Sequence, residues 1–212
     1  YARTNVYADN ITNSTSQDII VANSMEPNGS TTWSDSKLTL LSWQNGTLVD
    51  KTAQWFPNNI NQIIGGNDIK FGDFNNTGRK DMFVMANTDT GYINYAYLYT
   101  NTGSSFTRST ITLPSGVWGH DSVVVDVNKD GFLDVVVTSY GAYTSFLLNN
   151  RAGSFTAYQQ QITTLWGTSS IAVADFMGNN TTTLIATDPG GPGAAAKLYS
   201  WSLINNNFNL SE

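Results

Sequence analysis

Short apolar runs separated by turns rich in Asn, Gly and Ser recur along this chain at near-constant spacing. Runs at 69–71, 123–125 and 171–174 each lead into a polar loop, and runs at 82–85, 135–137 and 184–186 leave it. A third run follows in each copy, at 38–43, 95–99, 145–148 and 197–203. A polar turn and a fourth run anchored at Leu48, Phe106, Phe155 and Phe208 complete it. Enrichment in Val, Ile, Tyr, Phe and Thr predicts β-strands throughout, and no helical period is visible. A period of about 50 residues with four strands per copy is that of a β-propeller blade. The expected blades are approximately 1–57, 58–114, 115–163 and 164–212. Apolar runs without clean alternation at 123–125 and 135–137 predict sheets covered on both faces, as in stacked blades. A solenoid is the competing architecture, but its repeats are usually shorter and rarely hold four strands.

The loops between first and second strands carry the chemistry. In Asp126-Val127-Asn128-Lys129-Asp130-Gly131-Phe132-Leu133-Asp134, oxygen-bearing side chains stand at positions 1, 3, 5 and 9, with glycine at 6. A hard cation such as Ca2+ gathers about six to eight oxygens, so alternate residues turn inward, glycine takes the bend, and position 7 offers its carbonyl. The expected ligands are Asp126, Asn128, Asp130, the Phe132 carbonyl and Asp134. Fifty-three residues earlier the same frame gives Asp73, Asn75, Thr77, the Arg79 carbonyl and Asp81, with Gly78 at position 6. The alternative for either loop is a plain Asn/Asp turn without metal. A third frame from Asp175 to Thr183 lacks the ligand at position 3 and the closing acid. A fourth, bracketed by Asp9 and Asp18, is one residue longer and has no glycine.

Phe71-Gly72-Asp73, the two calcium-type loops and the four-strand period together resemble the FG-GAP/VCBS repeats of integrin α-subunit propellers and related lectins. The Gly-Ala-Pro of that family is absent, Ser139-Tyr140-Gly141-Ala142 standing in its place. The resemblance implies an all-β propeller of four-stranded blades. Family propellers have six to eight blades, so four repeats imply a segment of a larger propeller. A closed four-bladed ring and several chains sharing one assembly are the alternatives.

Composition narrows the function. Only 12% of residues are charged, cysteine is absent, and no apolar stretch is long enough to span a bilayer. Asp outnumbers Glu heavily, the latter being only Glu26 and Glu212, and eight Asp fall inside the four loop frames. A formal charge of −6 with ten scattered Lys and Arg argues against nucleic acid as a partner. An extracellular or cell-surface setting is expected, with Ca2+ rather than disulfides fastening the loops. Eight Asn-x-Ser/Thr sequons occur where chance gives roughly five; Asn28 and Asn45 are the preferred glycosylation candidates.

Propeller geometry places the calcium loops on one face and the blade links on the other. Trp118, His120 and Trp166 fall in or beside links, and Trp33, Tyr92, Tyr140 and Tyr143 in second-to-third strand loops. Aromatic faces beside Asn, Asp and Ser suit sugar rings. The bland reading of Trp118 and Trp166 is a plug between blades. With one histidine and no convergent acid/base pair, no enzyme is expected. The expected function is recognition of a glycan or an extracellular protein. The alternative is a structural subunit of a surface filament or layer, with self-assembly.

Overall fold

The computed structural model describes residues 2–12, 16–25, 36–63, 65–86, 95–114, 119–139, 143–151, 153–161, 170–175, 178, 183–188, 197–204 and 207–211. They form four antiparallel sheets of four strands, each a simple meander in chain order. The first sheet is β1 (Ala2–Asp9), β2 (Asp18–Met25), β3 (Lys37–Gln44) and β4 (Thr47–Asp50). The second is β5 (Gly65–Gly72), β6 (Asp81–Ala86), β7 (Tyr95–Asn101) and β8 (Phe106–Thr112). The third is β9 (Gly119–Val125), β10 (Asp134–Ser139), β11 (Tyr143–Asn149) and β12 (Phe155–Gln161). The fourth is β13 (Ser170–Ala174), β14 (Thr183–Asp188), β15 (Lys197–Ile204) and β16 (Asn207–Ser211). Such four-stranded meanders, repeated along a chain, are the blades of a β-propeller. Two compact units divide the chain, Tyr1–Ile111 and Thr112–Glu212.

In the first unit the core lies between the first two sheets. Ile20, Leu38 and Leu40 meet Ile69, Met82 and Val84, all essentially inaccessible to water. In the second unit Val136 and Phe146 pack with Ile171 and Leu184 of the next sheet. β10 is buried at every position, which is why its sequence runs Val-Val-Val without alternation.

The all-strand expectation needs one correction. After β4 the chain makes a short α-helix, α1 (Thr52–Trp55), and a 3-10 turn at Pro57–Asn59. One turn of helix is too short to show a 3.6-residue period, and packing explains it better than propensity. Trp55 and Phe56 are buried, with Trp55 5.4 Å and Phe56 5.3 Å from the Phe106 ring centroid. The Tyr99 hydroxyl donates to the Ile60 carbonyl at 2.6 Å, and Arg108 Nη1 donates to the Gln62 carbonyl at 2.6 Å. The link is thereby riveted to the second sheet. The β3–β4 hairpin turns at Asn45 and Gly46, whose φ values of 50° and 81° fit the type I′ turn that Asn-Gly favours.

Candidate calcium-binding loops

The loops at 73–81 and 126–134 fold alike because the same backbone donors seek the same carboxylates. At position 1, Asp73 Oδ1 accepts from Thr77 N at 2.8 Å and Oδ2 from Gly78 N at 2.6 Å. Asp126 repeats this with Asp130 N at 3.0 Å and Gly131 N at 2.8 Å. The bend needs left-handed backbone at positions 4 and 6: φ is 54° at Asn76 and 78° at Gly78, 58° at Lys129 and 88° at Gly131. A Cβ on Gly131 would meet nothing within 4 Å, so an alanine there suffers only backbone strain. Gly131→Ala is expected to lower stability by about 1–2 kcal/mol by thermal melting. No loss would mean that the bend is not held in this conformation.

In the second of these loops, side-chain oxygens at positions 3 and 5 turn back onto the loop's own backbone. Asn128 Oδ1 accepts from Asp130 N at 3.1 Å, and Asp130 Oδ1 from Phe132 N at 3.0 Å. Asp130 Oδ2 lies 3.4 Å from Arg151 Nε. Asn75 Oδ1 is buried with no hydrogen-bond partner. Such an oxygen carries a desolvation penalty that a cation would relieve. An all-oxygen donor set fits Ca2+ and no soft metal. Among the described residues no three acidic or histidine side chains gather at one point, so a cation here draws on amide, hydroxyl and main-chain oxygens as well.

Position 9 has a task that the spacing rule does not reveal. Asp81 and Asp134 are completely buried. One oxygen of each reaches back to position 2, accepting from Phe74 N at 3.0 Å and Val127 N at 2.8 Å. The other accepts from the last residue of the third strand, Asn101 N at 2.8 Å and Asn149 N at 2.7 Å. The asparagines answer: Asn101 Nδ2 donates to the Lys80 carbonyl and Asn149 Nδ2 to that of Leu133, both at 3.1 Å. Burial, opposed by these hydrogen bonds, pushes the Asp134 carboxyl up to about 6 and raises that of Asp81 as well. Asn101 and Asn149 are the site residues that sequence reasoning missed. Their signal was weak but present, an Asn one register step beyond the strand partner of the position-9 Asp in both blades.

The first blade shows how the frame survives without its glycine. Asp18 accepts from Ile11 N at 2.9 Å and Thr12 N at 2.7 Å, so the arm of the clamp that reaches back into the loop is kept. Asp9 Oδ2, the position-1 oxygen, pairs with the ammonium of Lys80 from the second blade at 2.9 Å. A lysine thus supplies the positive charge at this loop. Asn101 Nδ2 also donates to the Ile11 carbonyl at 2.9 Å, tying the first loop to the second blade. Asp175, which opens the loop frame of the fourth sheet, is exposed; most of that loop lies outside the described residues.

Of the expected ligand-face residues, Trp33, Tyr92, Trp118, Tyr140 and Trp166 lie outside the described residues, as does Asn28. His120 falls in β9 and Tyr143 in β11, with their side chains outside the description. Asn45 is exposed at its hairpin tip.

Comparison with known proteins agrees with the repeat. The family model described as FG-GAP-like repeat matches residues 73–137 and again 126–186, each match running from one loop through the second strand of the following blade. No curated protein matches the chain. Among solved structures it is similar to BBS1N in complex with ARL6DN. The crystal soaked with mercury gives a TM-score of 0.59 at 14% identity, covering 96% of this chain and 51% of that one. The crystal soaked with lead gives 0.60 at 16% identity, covering 96% and 55%. The chain spans about half the length of the solved chains it matches. At this identity the likeness speaks for the fold.

Proposed function

This chain belongs to the FG-GAP-like repeat family, and we propose that it is an extracellular recognition module, braced by calcium, that binds a glycan or protein ligand. The ligand surface is the face opposite the loops, where the sequence places Trp33, Tyr92, Trp118, His120, Tyr140, Tyr143 and Trp166. Calcium does no chemistry in this reading. When bound at Asp126, Asn128, Asp130, the Phe132 carbonyl and Asp134, and at Asp73, Asn75, Thr77, the Arg79 carbonyl and Asp81, it neutralises the loop carboxylates. The protein's own groups do the rest. Position-1 aspartates hold the bend, position-9 aspartates hold the loop to the outer hairpin, and the rigid sheets hold the opposite face in shape.

The observation that carries the calcium part is the buried, unpaired Asn75 Oδ1 inside a loop whose twin repeats its geometry. Protein binding has a precedent in the fold, since BBS1N was crystallised with a protein partner. Glycan binding is supported by flat aromatic and amide-bearing side chains at loop positions. The test is a broad glycan array probed with the purified chain in millimolar calcium and again after chelation. A sugar-specific signal lost on chelation is the expected result; silence in both conditions removes the glycan reading.

One observation favours a second reading, a structural subunit. Register places Val6, Val21, Ile19, Leu41, Trp43 and Leu48 on the face of the first sheet opposite its core. Val6 is 64% exposed, and Trp43 and Leu48 are close to half exposed. A sheet apolar on both faces is built to be covered on both.

A further inference from the structure

A cleft of about 240 Å³ opens in the first unit, on the end of the sheets that carries the loops. Its walls come from four separate segments: Thr12 of the first loop, Gln44 at the end of β3, Lys51, Gln54 and Trp55 around α1, and Ser104 of the β7–β8 hairpin. It is too small for a drug-sized ligand but has room for a single ring.

The chemistry of this lining is consistent. Among the described lining residues Lys51 brings the only charge and no carboxylate appears, in a chain whose net charge is −6. The side chains of Gln44, Lys51, Gln54 and Ser104 make no hydrogen bond or ion pair among the described residues, so four sets of polar groups stand unspent around one space. Thr12 Oγ1 donates to Asp18 Oδ1 at 3.1 Å, and its oxygen keeps lone pairs with which to accept. Trp55, 3% exposed, is the apolar floor. Amides and hydroxyls that both donate and accept match a polyol. A single ammonium matches one carboxylate, and the apolar indole surface matches C–H groups.

We propose that this cleft is a subsite for a carboxylate-bearing sugar ring, a uronic acid residue of an acidic glycan. This goes beyond the reading given above, since the cleft lies at the loop end and stands on residues separate from the aromatic face. Lys51 holds the carboxylate, Gln44, Gln54 and Ser104 hold ring hydroxyls, and Trp55 sets the depth of entry.

The test is an amide and side-chain NMR titration of the full chain in calcium with glucuronate, glucose and acetate, repeated with Lys51→Met and Gln54→Ala. Native spectra outside the cleft serve as the check on folding. Saturable shifts of the Gln54 and Ser104 signals are expected with glucuronate, with glucose and acetate each about tenfold weaker or more. Lys51→Met should remove the preference for glucuronate over glucose, and Gln54→Ala the preference over acetate. Equal binding of acetate reduces the site to an anion hole and overturns the proposal. Equal binding of glucose, or an unchanged preference in Lys51→Met, overturns the role of the carboxylate. No shifts at millimolar glucuronate overturn the site altogether. Array binding by Lys51→Met at wild-type strength, together with a silent cleft, would sink this subsite and leave the broader glycan reading standing. A silent array with a responsive cleft would sink the array-based reading and leave the subsite.

Discussion

Asp134→Ala is expected to destabilise the protein by about 3–5 kcal/mol in chelator, and by more in calcium, because it strands buried donors. The carboxylate serves Val127 N on one oxygen and Asn149 N on the other, and Asn128 N also turns toward it. Val127 N and Asn149 N cannot reach water while Asp134, Val127 and Asn149 stay buried. Asp134→Asn keeps one acceptor and should lose about half as much. Asp130→Ala is the informative contrast: its carboxylate accepts Phe132 N in a partly open loop, so in chelator the loss should stay under about 1 kcal/mol. Equilibrium denaturation of the three variants separates the two roles. If Asp134→Ala were as mild as Asp130→Ala in chelator, position 9 would be a metal ligand alone and the clamp would have no energetic weight.

The loops were legible in the sequence and the clamp was not, for a physical reason. Metal-ligand spacing is a local property, because Asp126, Asn128, Asp130 and Gly131 act through a backbone bend within a few residues. The Asp134–Asn149 and Asp81–Asn101 bonds join residues 15 and 20 apart, across a strand and a hairpin whose register must be known first. The four-strand repeat was legible because every blade copies the same run of apolar and polar segments. α1 was not, since its reason for existing is the Trp55 and Phe56 contact with Phe106 rather than any pattern of its own. The first loop shows a third case. Its sequence lacks glycine and runs one residue long, yet its closing Asp18 binds backbone donors as Asp81 and Asp134 do. What differs is that Lys80, from the next blade, meets Asp9, and nothing near Asp9 in the chain announces a lysine 71 residues away.

Calcium is expected to raise the melting temperature by about 10 °C at pH 7 and far less at pH 5. The size follows from two loops of extracellular-module affinity, each contributing about 1.5–2.5 kcal/mol in 10 mM calcium. The pH dependence follows from the buried aspartates. Without a cation, burial lifts the Asp134 carboxyl to about 6, against 3.8 for an ordinary aspartate, and lifts Asp81 in the same direction. A raised carboxyl means that the native state holds a proton the unfolded chain has already released. Its contribution is therefore fully present below the unfolded value and is lost as pH rises through about 6. In chelator these groups lower stability from pH 4 to 7. A cation reverses the sign by favouring the ionised form, so calcium must displace the proton, and its stabilisation grows as pH rises through about 6. The measurement is melting temperature in calcium and in chelator at several pH values, with Asp130→Ala as the control. That variant should lose the calcium gain of its own loop, about half the total, while its chelator curve keeps the wild-type slope. A calcium gain equal at pH 5 and pH 7 would show that Asp81 and Asp134 are not ligands, and no gain at either pH would show that the loops are polar turns that hold no metal.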